Sequence, residues 1–442
     1  MYDLTKIGKR SLHKSNYTCW SRITVILVSF LTLPNIACAY LDPSSGSALI
    51  SAAAATAAGF IYALKSLFYR FFGKDLQEAN PNISHEIIIF GERRIYWGTF
   101  RLIIEELISR RIHFRYLTLD VGDPALEIES SYMDSKLLSA KQTGYTYIER
   151  SKASVMVATT PNIGAKGYPL KRSPGVKNFV HLFHSVSDIA DYKKFSLDAY
   201  DTVVLAGDFQ KKSIREIESK RALTKKTLVT LGLPYLDELN ERIQKLPKRK
   251  SSESQTILIG SSWGEKGCLR VYGAAFIRAL AQKGFSIIVR PHPQSFTSEA
   301  DFINQLQEEL ANFSTVRWDD TVSPLESMQA SDLLISDMSS IRFDYAFLFN
   351  RPVITLDIPK ESLDGYEAVD LEEVWSDKVS DLISTVVDKG SIDSISDIVS
   401  DLLLNFREKD MQKVRESCVV NWTESAGKIV DYLTTVAQGK ES

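Results

Sequence analysis

From residue 86 onward, short apolar runs alternate with stretches whose apolar residues recur at helical spacing. Glu86–Phe90 (EIIIF), Phe114–Leu119, Ser154–Ala158, Asn178–Phe183 and Thr202–Leu205 have the pattern of strands buried on both faces. Between them lie amphipathic segments such as Thr99–Ser109, with Leu102, Ile103, Leu107 and Ile108 at helical spacing. A second series follows: Thr256–Gly260 (TILIG), Phe285–Arg290, Thr315–Trp318, Asp332–Ser336 and Pro352–Leu356. Alternation of this kind predicts an α/β protein with parallel sheets built from βαβ units. Residues 241–255 are charged, contain Pro247 and lack apolar periodicity, so they read as a linker between two halves. The expected organisation is a first Rossmann-like domain over 84–245 and a second over 246–388. Helices follow over 389–442, and the two doubly wound domains face a cleft.

The head of the chain follows another pattern. Lys6, Lys9, Arg10, Lys14 and Arg22 precede an apolar stretch, Ile23–Leu33, and an Ala37-Cys38-Ala39 exit, which resembles a secretory signal. From Ser44 to Leu64 no charge occurs over about 20 residues, enough for a helix to cross a bilayer. The expectation is a signal or membrane-anchor region over 1–75, with apolar segments at about 23–39 and 44–64. Lys65, Arg70 and Lys74 follow the second segment, and the loop before it carries only Asp42. The positive-inside rule then leaves the rest of the chain on the cytoplasmic side.

Composition narrows the function. A chain of 442 residues that is 44% hydrophobic and 24% charged is globular, and its net charge of -2 offers no field for nucleic acid. Cys19, Cys38, Cys268 and Cys418 have neither metal spacing nor a disulfide pattern, so no metal site and no cofactor is expected.

Ligands of open parallel sheets sit beyond the carboxyl ends of the strands, so the residues after each strand carry the candidate chemistry. After TILIG come Ser261 and Ser262; after FSIIV come Arg290 and His292; after LLI come Ser336, Asp337, Ser339 and Ser340. Hydroxyls and unpaired N–H groups at a helix start favour an anion, and an Arg fork suits phosphate. Taken singly, Ser339 or Ser340 is equally a helix cap, Arg290 an ion-pair residue, and Ser261 and Ser262 turn residues. In the first half, His184 falls at the carboxyl end of a strand, where a neutral imidazole suits a general base. His181 reads as structural, and Asp188 as a group able to orient either ring.

The RPHP turn, followed by SPLESMQASDLLISDMSSIRFDYAFLFNRPVITLD, resembles the CDP-glycerol:poly(glycerophosphate) glycerophosphotransferases, the teichoic-acid polymerases and primases. LGLPYLDEL (231–239) resembles the Gly-x-Pro-x-x-Asp segment of that family. The resemblance covers roughly 178–358 and implies a GT-B-like fold with the nucleotide donor in the second domain. It implies that His184 and His292 are catalytic and that Arg290, Asp337, Ser339 and Ser340, with Ser261 and Ser262 beside them, bind donor phosphate. The implied reaction moves glycerol phosphate from CDP-glycerol to a hydroxyl of a lipid-linked or glycan acceptor and releases CMP. It would take place at the bacterial cytoplasmic membrane. Two departures from the family pattern stand out: His184 lies in Phe-His-Ser-Val rather than Trp-His-Gly-Thr, and Met338 replaces an aromatic residue. A GT-B glycosyltransferase using a nucleotide sugar in capsule or lipopolysaccharide synthesis is the alternative. A membrane-anchored binding protein without turnover is the third reading.

Overall fold

The computed structural model describes residues 86–247, 249, 254–321, 323–358 and 364–439, all within one compact unit, Asn80–Ser442. The expected signal and anchor segments lie outside the described residues. No helix among those described is long and apolar enough to cross a membrane.

Thirteen strands form two parallel sheets. The first contains β1 (Ile87–Gly91), β2 (Phe114–Thr118), β3 (Met133–Leu137), β4 (Ala153–Ala158), β5 (Val176–Leu182), β6 (Thr202–Leu205) and β7 (Thr227–Thr230), in the order β3-β2-β1-β4-β5-β6-β7. The second contains β8 (Thr256–Gly260), β9 (Ser286–Arg290), β10 (Val316–Trp318), β11 (Leu333–Ser336), β12 (Val353–Leu356) and β13 (Thr385–Val387), in the order β10-β9-β8-β11-β12-β13. All ten runs read as strands from the sequence are strands. The three not foreseen, β3, β7 and β13, are edge strands. Their sequences, MDSKL, TLVT and TVV, are only partly buried and show no continuous apolar run.

Central strands such as β1, β4 and β8 are buried along their whole length because helices cover both faces. The helix expected over Thr99–Ser109 spans Trp97–Ser109, and its buried face is Phe100, Ile103, Ile104 and Leu107. Leu102 and Ile108, assigned to that face from spacing, are only partly buried at its margins. Linker residues Glu241–Lys245 continue the helix Pro234–Lys245, and Arg249 grips Asp332 through two N–H···O bonds of 2.6 and 2.7 Å.

The tail serves both halves. The helix Ile395–Asn405 puts Ile395 and Val399 into the core of the second sheet. The last helix, Ser425–Ala437, puts Ile429, Val430 and Leu433 into the core of the first. Asp237 holds that return in place by accepting the N–H groups of Thr423 (2.8 Å) and Ser425 (3.0 Å).

Both sheets reverse direction of growth once, between β1 and β4 and between β8 and β11, and such switch points open a crevice at the carboxyl edge. Gly91 ends β1 at the first crevice, where a Cβ would lie 1.9 Å from the Tyr116 hydroxyl that donates to Asp123. Gly91→Ala should therefore destabilise the fold by about 1–3 kcal/mol in urea unfolding. The double variant with Tyr116→Phe should recover part of that loss; an additive loss would show that the clash lies elsewhere.

Candidate active site

At the second switch point one carboxylate ties the two loops together. Asp337, fully buried after β11, accepts the Ser262 N–H (2.8 Å) and hydroxyl (2.6 Å), the Cys268 N–H (2.9 Å) and the Ser339 N–H (3.1 Å). Ser261 closes the same loop, donating to the Ser262 carbonyl at 2.8 Å and accepting from Leu269 N–H at 3.3 Å. The loop turns back at Gly267, where a Cβ would lie 2.2 Å from the Ser262 carbonyl oxygen. Ser261, Ser262 and Asp337, read from the sequence as phosphate ligands, thus spend their side chains on one another. A carboxylate is a poor phosphate ligand but a good organiser of donors.

Arg290 also differs from expectation. Its guanidinium donates to Asp319 (2.7 Å), to the Thr321 hydroxyl (3.2 Å) and to the Thr321 carbonyl (2.7 Å). Asp319 follows β10, the neighbour of β9 in the sheet, which places the partner beside the strand end. Burial would raise the Asp319 carboxyl, but hydrogen bonds from Ser327 and Thr321 and the Arg290 charge outweigh it and hold it at about 2. Arg290 is a brace for this turn rather than an outward fork.

His292 is exposed, and its Nδ1 accepts the Gln294 N–H at 3.1 Å. With Nδ1 an acceptor, the proton of the neutral ring sits on Nε2, which makes Nε2–H the outward donor. Partial burial lowers its pKa; Asp337 opposes this and Arg290 adds to it, which sets the ring among the same groups.

Ser339 and Ser340 open the helix Ile341–Phe349, yet Ser340 makes no side-chain cap. Neither hydroxyl has a hydrogen-bond partner among the described residues, so the capping role is not realised and both remain available. Sequence reasoning missed the residue behind them. Arg342, 1% exposed, donates to the Ser339 carbonyl (3.2 Å), the Thr355 hydroxyl (2.9 Å) and the Ser380 hydroxyl (3.1 Å). Burial lowers its pKa to about 10, against the attraction of Asp337, Asp191 and Asp377. Its hydrogen bonds go to neutral oxygens, and the three carboxylates act on it through space. An Arg two residues after the hydroxyl turn was the signal available.

The first switch point carries the other chemistry. His184 is half-buried, with Nδ1 3.1 Å from the Thr159 hydroxyl, the Tyr96 ring edge-on at 5.0 Å and Tyr192 stacked at 6.4 Å. Burial lowers its pKa to about 4, so the ring is neutral near pH 7. His181 is fully buried, with Nε2 3.3 Å from the Tyr192 hydroxyl, a structural position. Asp188 orients neither ring, since its carboxylate takes the Ile189 N–H (2.7 Å) and the Ser213 hydroxyl (2.5 Å).

The two crevices meet across a dense contact. Asp191, on the turn that follows His184, interacts electrostatically with Arg342, which holds the Ser339 carbonyl. Arg221 pairs with buried Glu367 and with Asp370 (2.8 Å), and Lys193 bridges Tyr366. Trp375 stacks between Phe209 of the first half (3.8 Å) and Phe343 of the helix Ile341–Phe349 (5.3 Å). Beside these, the Tyr235 hydroxyl donates to Asp344 at 2.9 Å, while Asp344 Oδ1 is buried without a partner.

Two Rossmann-like α/β domains with polar strand ends at both switch points make a GT-B-type architecture. Within it, residues 187–368 match the model of the CDP-glycerol:poly(glycerophosphate) glycerophosphotransferase family, a stretch that contains the 322–356 block. The match takes in Ser261, Ser262, Arg290, His292, Asp337, Ser339, Ser340 and Arg342, and begins three residues after His184. No curated protein matches the chain. Among solved structures, the wall teichoic acid polymerase TagF is similar at 14% identity and a TM-score of 0.53, over 86% of this chain and 98% of that one. A UDP-GlcNAc 2-epimerase from Neisseria meningitidis bound to UDP-GlcNAc matches at 13% identity and a TM-score of 0.51, over 80% and 99%. A putative UDP-N-acetylglucosamine 2-epimerase from Listeria monocytogenes matches at 8% and 0.53, over 81% and 98%. These likenesses carry the fold.

Two measurements probe the site. Asp337→Asn should destabilise the second half by about 1–3 kcal/mol in urea unfolding, because several donors lose a charged acceptor. A variant as stable as wild type would show that the carboxylate organises nothing. For Asp344, burial raises the carboxyl from 3.8 to about 7. The folded state then holds its proton more tightly than the unfolded chain, so this group's stabilisation is complete below about pH 4 and lost by about pH 7. Asp344→Asn should flatten that window of the pH–stability curve and leave the curve above it unchanged in slope.

Proposed function

We propose that the protein transfers glycerol phosphate from CDP-glycerol to a hydroxyl of a lipid-linked or surface-glycan acceptor at the bacterial cytoplasmic membrane. The observation that carries this reading is the unpartnered Ser339–Ser340 turn inside the family-matched stretch, backed by the buried Arg342. One of the TagF structures is a histidine variant soaked with CDPG, which fits a diphosphate donor on this fold. The uncharged stretch 44–64 and the basic residues after it support the membrane.

In this mechanism the acceptor oxygen attacks the β-phosphorus of CDP-glycerol. The bond from that phosphorus to the bridging oxygen breaks, and CMP leaves with the electron pair. The acceptor proton passes to His184 Nε2, whose lone pair is free when Nδ1–H donates to Thr159. The Ser339 and Ser340 hydroxyls and the positive potential of Arg342 stabilise the transferring phosphate, and His292 Nε2–H donates to the leaving CMP. Arg290 acts at one remove by bracing the 319–321 turn. Positioning and electrostatics are what phosphoryl transfer chiefly asks of a protein.

The Phe-His-Ser-Val context of His184 favours a second reading, transfer of a sugar from a nucleotide sugar on the same anion-binding turn. The test is nucleotide release by detergent-purified full chain with membrane lipid extract, from CDP-glycerol and a panel of nucleotide sugars. CMP from CDP-glycerol, reduced about 10²–10⁴-fold by His184→Ala, is the expected result. Release from a nucleotide sugar alone would overturn the donor assignment. Because burial sets the free-enzyme pKa of His184 at about 4, kcat/KM should fall only on acidifying toward that value and stay level to neutrality. A limb that persists unchanged in His184→Ala would assign the base to another group.

A further inference from the structure

Glu92 is the first residue after β1, and Thr159 and Thr160 follow β4, so the three flank the first switch point. Glu92 Oε2 accepts the Thr160 hydroxyl at 3.1 Å and Oε1 accepts the Tyr168 hydroxyl at 3.1 Å. The adjacent Thr159 hydroxyl touches His184 Nδ1 at 3.1 Å, and Tyr96 packs edge-on against the same ring. Neighbouring threonines therefore join a carboxylate to the imidazole. Burial alone accounts for the lowered pKa of His184, so Glu92 is not its ion-pair partner. Glu92 makes no ion pair among the described residues, and each of its oxygens has lone pairs to spare.

Glu92, Tyr96, Tyr168 and His184 are each half-buried. A carboxylate that accepts but cannot donate suits hydroxyl groups and repels phosphate. Tyrosine faces suit the C–H faces of sugars and polyols. In the second crevice the charged group behind the serine turn is instead a buried guanidinium, Arg342.

We propose that the Glu92–Thr160–Tyr168 corner is a subsite for the neutral, hydroxyl-bearing end of a polyol or sugar acceptor. Glu92 accepts a hydroxyl next to the one His184 activates, and a phosphate-terminated acceptor is rejected there. This inference rests on the reading of His184 as the base toward an acceptor hydroxyl.

The test uses the full chain in detergent with CDP-glycerol and two acceptor probes, glycerol and sn-glycerol 3-phosphate. Wild type should prefer glycerol. Glu92→Gln, which keeps the shape, should raise the glycerol KM roughly tenfold or more and narrow the preference for the neutral probe. The change should fall on the acceptor KM rather than on the donor KM. Tyr168→Phe should shift the same constant less. A wild-type preference for glycerol 3-phosphate, or an unchanged acceptor KM and preference in Glu92→Gln, would overturn the subsite.

A second arm needs no turnover. Carbethoxylation of His184 by diethyl pyrocarbonate, followed by mass spectrometry, should be slowed by glycerol in wild type and not in Glu92→Gln. That outcome in a protein releasing no nucleotide from any donor would sink the proposed reaction and leave the polyol subsite standing. Protection by glycerol 3-phosphate but not by glycerol would sink the subsite instead.

Discussion

The buried carboxylate of Asp337 is the constraint on which the rest of the site depends. It is fully excluded from water and answered by N–H and O–H donors from loops that follow two different strands. A buried carboxylate without such donors would be strongly disfavoured, so the loops after β8 and β11 are held together by the need to satisfy it. With the acceptor sites of Asp337 filled from within, the hydroxyls of Ser339 and Ser340 are left without a hydrogen-bond partner among the described residues.

A similar economy governs the charges around it. Arg290 and Asp319 neutralise one another inside the turn after β10, and the low pKa of Asp319 reflects hydrogen bonds that outweigh burial. Arg342 has no such hydrogen-bonded carboxylate and is attracted only through space, by Asp337, Asp191 and Asp377. The difference between these two arginines is not one of residue type. It lies in whether an acid on the neighbouring strand reaches the guanidinium. The contact between halves then brings the His184 side to Arg342, through Asp191 and through the Phe209–Trp375–Phe343 stack. Each aromatic pair there is worth about 0.5–1.5 kcal/mol beyond its buried area.

Much of the architecture was legible because its signals are local. Continuous apolar runs mark strands covered on both faces, and every run of that kind is a strand. The edge strands β3, β7 and β13 escaped because half-exposed strands need no such run. The helix at Trp97–Ser109 was found, with Ile103 and Leu107 on its buried face and Leu102 and Ile108 at the margins. At the site, the residue types at the strand ends were legible and their jobs were not. Ser262 looked like a ligand and turned out to hold Asp337, while Arg342 was passed over inside a run of helical residues.

The sequence by itself determined that the chain builds two parallel-sheet halves and that hydroxyls, an Arg, an Asp and two histidines stand at strand ends, because strand pattern and chain order are properties of neighbours. Tertiary structure alone decided which of those groups remain free. Asp337 meets Ser262 across 75 residues, Arg290 meets Asp319 across 29, and Glu92 meets Thr160 across 68. A hydrogen bond is either made or open only once both partners are in place, and no periodicity along the chain records which.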